Sequence, residues 1–549
     1  MPIVHNFTDR ERKKISIKTV AIVLIVLGLI FIVYYIFSNT PKPTIQPITN
    51  NTSGIQNVCI DSKLVQKVKD DIEDYVTSKE GTLQISQTNC DYQIVRNQKD
   101  TNPYNLIFTK IYIPVSSVLA DSLDFPSDNV IAGFNNQKIT NYNIIWEKDT
   151  DDFLKSKYDL AVGQTIYTEQ EIEKKLATTK TSIAIIPFEQ LKTYEQEVRV
   201  NGNSIFDKTF VPLAYFLTDT VWIKGSGDTR TDLEAIVKKD LGDTNYKQEN
   251  VTTIITSGSS YVGSDKYQEL IAQKKDSNYM VSSIKEITNA ADIFHMSNEV
   301  SVSGRCYQRT NSSYLCSNRN DISVIKTLGT DVVGVTGNHI LDFVLTSFKE
   351  TLTWYTKNGI QYFGGGTNST DSHTPRVITK NGIKFAFVGF NFIPPYSYYS
   401  TSTKAGNNNV SLNLMKSDIA KAKKLADIVI VDMQWGSELD KTPDKNTKDN
   451  ARYAIAQGAN IVEGVNAYTP QAVEVSDNHA IFYSLGGFIN AQAKQGMLVR
   501  HIFYQKKYVG FELLPLSFDK ELSIGLAEGS IKDTMLRTVF NKSTINYEN

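Results

Sequence analysis

Apolar positions along the chain first run unbroken and then recur with two different periods. Residues 19–37 read TVAIVLIVLGLIFIVYYIF, nineteen positions without a charge. At ~1.5 Å rise per residue, such a helix spans about the hydrocarbon thickness of a bilayer. Residues 38–55 (SNTPKPTIQPITNNTSGI) mix Pro, Ser, Thr and Asn with little periodicity and predict an extended linker. Between 56 and 245, β-like runs (LIFTKIYIPV, TSIAIIPF, TVWIK) alternate with helical stretches at 61–77 and 168–178, an α/β pattern. Polar and charged residues at 228–248 mark a boundary. From 252 onward the strand signals strengthen: TTIITSG, ADIFHMS, DVVGVTG, KFAFVGF, DIVIVDMQWG, NIVEGV and AIFYSLGGF. Helical stretches at 266–274, 342–357, 413–425 and 447–457 separate most of them. Repeated strand, loop and helix units predict a layered α/β domain over 252–520, with loops at the strand C-termini forming its working face. The alternation MLVRHIFYQKKYVGFELLPLSF follows, periodicity then fades, and 521–549 reads as a C-terminal tail.

Charge placement orients the apolar run. Arg10, Arg12, Lys13, Lys14 and Lys18 precede it, whereas 38–57 holds one basic residue, Lys42. The positive-inside rule puts 1–18 in the cytoplasm as a basic tail, 19–37 in the membrane as a single-pass transmembrane helix, and everything after 38 outside. A cleaved signal peptide is the competing reading. The run exceeds the usual signal core, its outer end carries bulky Tyr, Ile and Phe, and no small-x-small site closes it cleanly. All four cysteines, Cys59, Cys90, Cys306 and Cys316, lie in the outer part. Three pairings are possible; the simplest joins Cys59 to Cys90 and Cys306 to Cys316, and no CxxC points to metal binding.

Composition narrows the function classes. The 549 residues, with 58 Lys and Arg against 59 Asp and Glu, have a formal charge of −1 and suit two to four domains. Without a basic excess, nucleic acid is not an expected partner; the lipid bilayer is. With 25 Phe and 28 Tyr the chain has ample apolar surface for sizeable cores, which excludes broad disorder. No GxGxxG, Walker loop or GxSxG occurs, so nucleotide binding and serine hydrolysis lack a signature.

The six histidines, His5, His295, His339, His373, His479 and His501, show no HxH, HxxH or HxxxH spacing. A metal site would have to assemble from separate strand ends and lean on carboxylate or amide oxygen. Isolation makes His295, His373, His479 and His501 read as surface or half-buried side chains. His339 differs. It closes VTGNH directly after the apolar strand DVVGV, with Asp342 three residues on at the start of a helix. Gly, Asn and His at a strand end are the residues and the place used by binuclear metallophosphoesterases, where the Asn binds metal and the His meets the phosphate. In the competing reading Asn338 makes a turn and Asp342 caps the following helix.

Here a family resemblance becomes specific. The ordered blocks ADIFHMSNE (291–299), DVVGVTGNHILDF (331–343), FGGGTN (363–368), KFAFVGFNF, IVIVDMQWGSE (428–438), QGANIVEGVNAYTPQAVE (457–474) and IFYSLGGF (481–488) resemble the CapA family. The resemblance implies a calcineurin-like metallophosphatase αββα sandwich over 252–520 and a role in capsule or poly-γ-glutamate biosynthesis at the cell surface. Its implied partners are an anionic cell-surface polymer and other capsule-synthesis subunits. Residues 181–207, followed by PLAYFLTDTVWIK, are similar to stretches preceding such modules in long bacterial members, where they form part of a periplasmic-binding-protein fold.

The departures fall on the polar positions that would carry chemistry. The family's GD becomes Gly258 and Ser259, the His of HWG becomes Gln434, both histidines of GxHPH are lost to Asn466 and Tyr468, and SLGNF becomes SLGGF with Gly487. Glu299, Asn338, His339, Asp342 and Glu438 survive. The catalytic candidates carried over are therefore His339 and Asp342. The metal candidates are Glu299, Asn338, His339, Gln434 and Asn466, sufficient for one weak, oxygen-rich Mn²⁺ or Zn²⁺ site and too few for two-metal phosphoester hydrolysis. Three readings stand: a CapA-type envelope protein in polymer synthesis, export or anchoring; an inactive scaffold of that fold that binds polymer or a partner; and a tethered solute receptor acting through the first domain.

Overall fold

The computed structural model describes residues 54–547 except 99–102, 159, 161–163, 243, 262–264, 275, 305, 307–314, 320–321, 439 and 494. The basic tail, the expected membrane helix and nearly all of the linker lie outside the described residues. Among those described, no helix is long and apolar enough to cross a membrane. Residues 56–549 form one compact unit.

The first region is a mixed sheet with strands in the order Leu83–Ile85, Gln56–Ile60, Tyr92–Arg96, Thr218–Lys224, Asn105–Ser117, Ser182–Pro187, Tyr142–Trp146 and Lys138–Ile139. Helices Gln66–Ser78 and Gly227–Leu241 cover one part of it through Val68, Ile72, Leu233 and Val237. The helix expected at 168–178 is Glu169–Thr178, fixed at its start by a reciprocal capping box between Thr168 and Glu171. Cys59 pairs with Cys90 and Cys306 with Cys316. The 3₁₀ turn Gln248–Asn250 separates this region from the next strand. Val251, Ile502 and Val509 of the second region pack with Ile111, Phe188 and Phe206 of the first.

Two seven-stranded sheets make up the rest. One runs Gln361–Phe363, Val332–Gly334, Ile293–Asn298, Val251–Ser260, Gly496–Tyr504, Lys507–Phe518, Ile524–Leu526; the other runs Arg376–Lys380, Ile383–Asn391, Ile428–Gln434, Ile461–Val465, His479–Phe482, Val473–Ser476, Thr544–Ile545. Period-two alternation decides which side chains meet between them. Ile254, Ile293 and Val332 face Phe385, Phe387, Ile430 and Ile461 in a shared apolar layer. Their sequence neighbours Ile255, Phe294 and Val333 turn outward under Leu345–Lys357, while Val429, Val431 and Ala386 turn outward under Leu412–Leu425 and Lys445–Gln457. The result is a four-layer αββα sandwich.

Three sequence expectations need correcting. The segment expected as a tail contains the helix Gly529–Phe540, which buries Leu536, Val539 and Phe540 against the inter-sheet core, and the strand Thr544–Ile545, which adds to the second sheet. Its helical pattern is short and follows a long β run, so fading alternation concealed it. The helix expected from 342 begins at Leu345, leaving Asp342 in the preceding turn. His295 and His501 are not surface residues: both face the inter-sheet layer and are at most 1% exposed.

Candidate functional site

The inner faces of the strands change character along their length. Ile428 and Ile430 give way to Asp432 and Gln434, Ile461 to Glu463, and Val332 to Gly334 and Thr336. Apolar packing at the strand starts thus becomes polar toward the strand C-termini, where loops from both sheets converge.

At that end the structure gathers residues far apart in sequence. The Gln434 side-chain amide donates to Asn338 Oδ1 at 3.0 Å and Asn466 Oδ1 at 3.1 Å, and lies 3.4 Å from Glu299 Oε1. Tyr468 OH donates to Glu299 Oε2 at 3.3 Å. Ser259 Oγ accepts from the Asn466 backbone N–H at 2.9 Å. Asn466 sits at φ 97°, a left-handed conformation that Asn tolerates better than most residues, and its Nδ2 donates to the Gly436 carbonyl. A Cβ at Gly337 would lie 2.4 Å from the Glu299 Cα, so only glycine lets the GNH turn pass this close to the neighbouring strand end.

His339 stands beside this cluster and is more accessible, its side chain 17% exposed. Its Nδ1 faces Asp342 Oδ2 at 2.5 Å, and Asp342 is held by the Leu315 backbone N–H and the Tyr398 hydroxyl. Because a carboxylate accepts, Nδ1 carries the proton and Nε2 is left for other partners. Burial works against charge on this imidazole, yet the Asp342 hydrogen bond and charge outweigh it and hold the pKa above the ordinary histidine value. Burial pushes the Glu299 carboxyl up, opposed by Ser259, His339 and Gln434. Burial likewise pushes the Tyr468 phenol up.

All five metal candidates therefore share one locality, and Asp342 acts on it through His339. The donor set does not suit a binuclear centre. It offers one carboxylate and no second imidazole, and the two N–H bonds of the Gln434 amide are already shared among the three oxygens that would have to face a cation. What the arrangement provides is a rigid polar floor with one accessible imidazole. Sequence reasoning found these positions through the family blocks; the central place of the Gln434 amide follows only from strand register.

Residues 253–492 match the family model described as Bacterial capsule synthesis protein PGA_cap. The chain is 25% identical over 296 residues to the PGA biosynthesis protein CapA of Bacillus subtilis (strain 168), covering 52% of this chain and 78% of that one. It is also 25% identical over 223 residues to the capsule biosynthesis protein CapA of Bacillus anthracis, covering 39% of this chain and 54% of that one. A hypothetical protein from Thermus thermophilus aligns structurally over 48% of this chain and 98% of its own, at 13% identity and a TM-score of 0.33. Fold and site define a four-layer sandwich with a polar cluster at its strand ends, and its sequence over 253–492 is similar to capsule-synthesis proteins. Residues 253–492, less than half of the chain, thus match the family of the CapA proteins.

Proposed function

We propose that this protein acts in capsule or poly-γ-glutamate biosynthesis, export or anchoring, and that its strand-end site grips an anionic polymer and does not hydrolyse it. The family relationship over 253–492 supports the process. One observation carries the non-hydrolytic reading: the Gln434 amide, in place of a metal ion, closes the oxygen cluster of Glu299, Asn338 and Asn466. His339 Nε2 is the group best placed to meet a polymer carboxylate, with Asp342 orienting the ring. The run at 19–37 would anchor the protein with its N-terminus in the cytoplasm and this site on the outer face. In this reading the first region, which follows the linker in sequence, is periplasmic-binding-like.

The test combines a deletion strain with a binding assay. Loss of the protein should reduce surface polymer, and a plasmid copy should restore it where His339→Ala does not. Purified protein should bind poly-γ-glutamate with affinity that weakens in His339→Ala and falls with salt. Normal capsule in the deletion strain would sink the process assignment. Metal-dependent phosphodiester hydrolysis by the wild type, lost in His339→Ala, would sink the non-hydrolytic reading.

A further inference from the structure

A second polar cluster lies inside the sandwich, one inward-facing position below the strand ends. His295, Asp432 and Glu463 each offer a ligand atom, and these atoms lie within 4.8 Å of one another. All three residues are at most 1% exposed. They come from both sheets: His295 from Ile293–Asn298, and Asp432 and Glu463 from the adjacent parallel strands Ile428–Gln434 and Ile461–Val465, where they are register partners. Two carboxylates side by side in an apolar interior repel each other and lose their hydration, so positive charge has to balance them, either on the His295 imidazole between them or on a bound cation.

Well-aligned hydrogen bonds do not fill the arrangement. His295 Nε2 is 3.0 Å from Asp432 Oδ2 and its Nδ1 is 3.6 Å from Glu463 Oε2. Nevertheless both ring nitrogens, both Asp432 oxygens and Glu463 Oε2 lack a hydrogen-bond partner. A nitrogen and an oxygen 3.0 Å apart without a well-aligned hydrogen bond have the spacing of two corners of one coordination polyhedron. The other Glu463 oxygen is fully engaged. Oε1 meets Thr256 Oγ1 at 2.5 Å and His501 Nε2 at 2.9 Å, and His501 Nδ1 meets Tyr508 OH at 2.8 Å. One carboxylate oxygen pinned by an outer ring of partners while the other points inward is how metal ligands are oriented. Gly334 contributes room: a Cβ there would lie 2.5 Å from Asp432 Oδ2 and 3.2 Å from His295 Nε2.

We propose that His295, Asp432 and Glu463 form a buried site for one divalent first-row transition ion of the Zn²⁺ or Mn²⁺ kind, which clamps the two sheets together beneath the polymer-binding face. Two carboxylates balance its charge, and the imidazole selects against Mg²⁺ and Ca²⁺, which prefer all-oxygen shells. The absence of thiolate among these three ligands disfavours Cu⁺. The site is distinct from the Glu299, Asn338 and His339 cluster and does not depend on the function proposed for it. Its role is structural, because no side chain of the triad reaches solvent.

The experiment is elemental analysis of the purified full chain, as isolated and after chelator treatment followed by equilibration with Zn²⁺, Mn²⁺ or Co²⁺ and gel filtration. About one ion per chain is expected, with visible d–d absorption of the Co²⁺ form reporting its geometry. His339→Ala should retain the ion, whereas Asp432→Asn and His295→Gln should lose it. X-ray absorption on the loaded wild type should show nitrogen and oxygen donors without sulfur, which keeps the test decisive if a variant fails to fold. No ion retained by wild type under any of these conditions overturns the proposal. An ion lost in His339→Ala but kept in Asp432→Asn overturns it as well, since that ion would belong to the outer cluster.

Discussion

Replacing Gln434 with alanine is the most direct test of how the strand-end site is held. The substitution removes the donor that serves Asn338 Oδ1 and Asn466 Oδ1 and abandons Glu299 Oε1 on that side. Asn466 and Glu299 are 4% and 0% exposed, so water cannot freely replace the amide. Each neutral hydrogen bond lost is worth about 1 kcal/mol, and a buried carboxylate deprived of a partner costs about 1–3 kcal/mol. The total is about 3–5 kcal/mol, read as a shift in urea unfolding midpoint. Trp435, buried next to Gln434 and donating to the Tyr483 carbonyl, supplies a local fluorescence signal. Gln434→Leu restores most of the volume without the donor and isolates the polar share. Gln434→Glu places a second carboxylate against Glu299 and should be the least stable variant at neutral pH, recovering as the medium is acidified. A loss below about 1 kcal/mol in Gln434→Ala would refute the view that this amide closes the cluster.

Other outcomes follow from groups elsewhere in the fold. Glu195 is 3% exposed and burial pushes its carboxyl up to about 8 from 4.5. The folded state therefore binds more protons than the unfolded one between these values, and stability falls as pH rises across that window. Glu195→Gln should flatten this fall and gain on the order of 1–3 kcal/mol at pH 8, measured by urea melts at pH 5 and 8. Asp219 receives Arg96 Nε and Nη2, the latter at 2.6 Å, with both side chains at most 6% exposed. Asp219→Ala should cost about 3–5 kcal/mol because it strands a buried guanidinium; an unchanged unfolding midpoint would contradict the burial. Removing the Cys59–Cys90 link, of sequence separation 31, should cost roughly 3–4 kcal/mol, and the Cys306–Cys316 link, of separation 10, roughly 2–3 kcal/mol. Equal losses from the two would argue against chain entropy as the cause.

The layered α/β order of the second region was legible because its strands are buried on both faces and read as apolar runs between amphipathic helices. Helix bounds at 412–425 and 445–457 fall within two residues of expectation. Glu299, Asn338, His339, Gln434 and Asn466 could be named from their blocks because each lies at the C-terminal end of its strand. What escaped was anything set by facing between sheets. His295 and His501 lie in segments that give no spacing motif, and their partners Asp432 and Glu463 sit within apolar runs where a single carboxylate reads as noise. Only the pairing of sheets shows that all four point into one layer. The closing helix Gly529–Phe540 escaped for a similar reason, since its burial depends on a surface built by residues far upstream.

The first sheet of the sandwich also sets a timetable for synthesis. Its central strand, Val251–Ser260, is hydrogen-bonded along one edge to Gly496–Tyr504, and the second sheet gains its last strand at Thr544–Ile545. Neither pairing can form while the intervening chain is still emerging, so the first sheet is incomplete until Gly496–Tyr504 has emerged and the second until Thr544–Ile545 can dock. Until Gly496–Tyr504 has emerged, Val251–Ser260 presents an edge of unpaired backbone N–H and C=O groups, a template for unwanted strand addition. Strands at the start of the sandwich thus wait for partners made more than two hundred residues later.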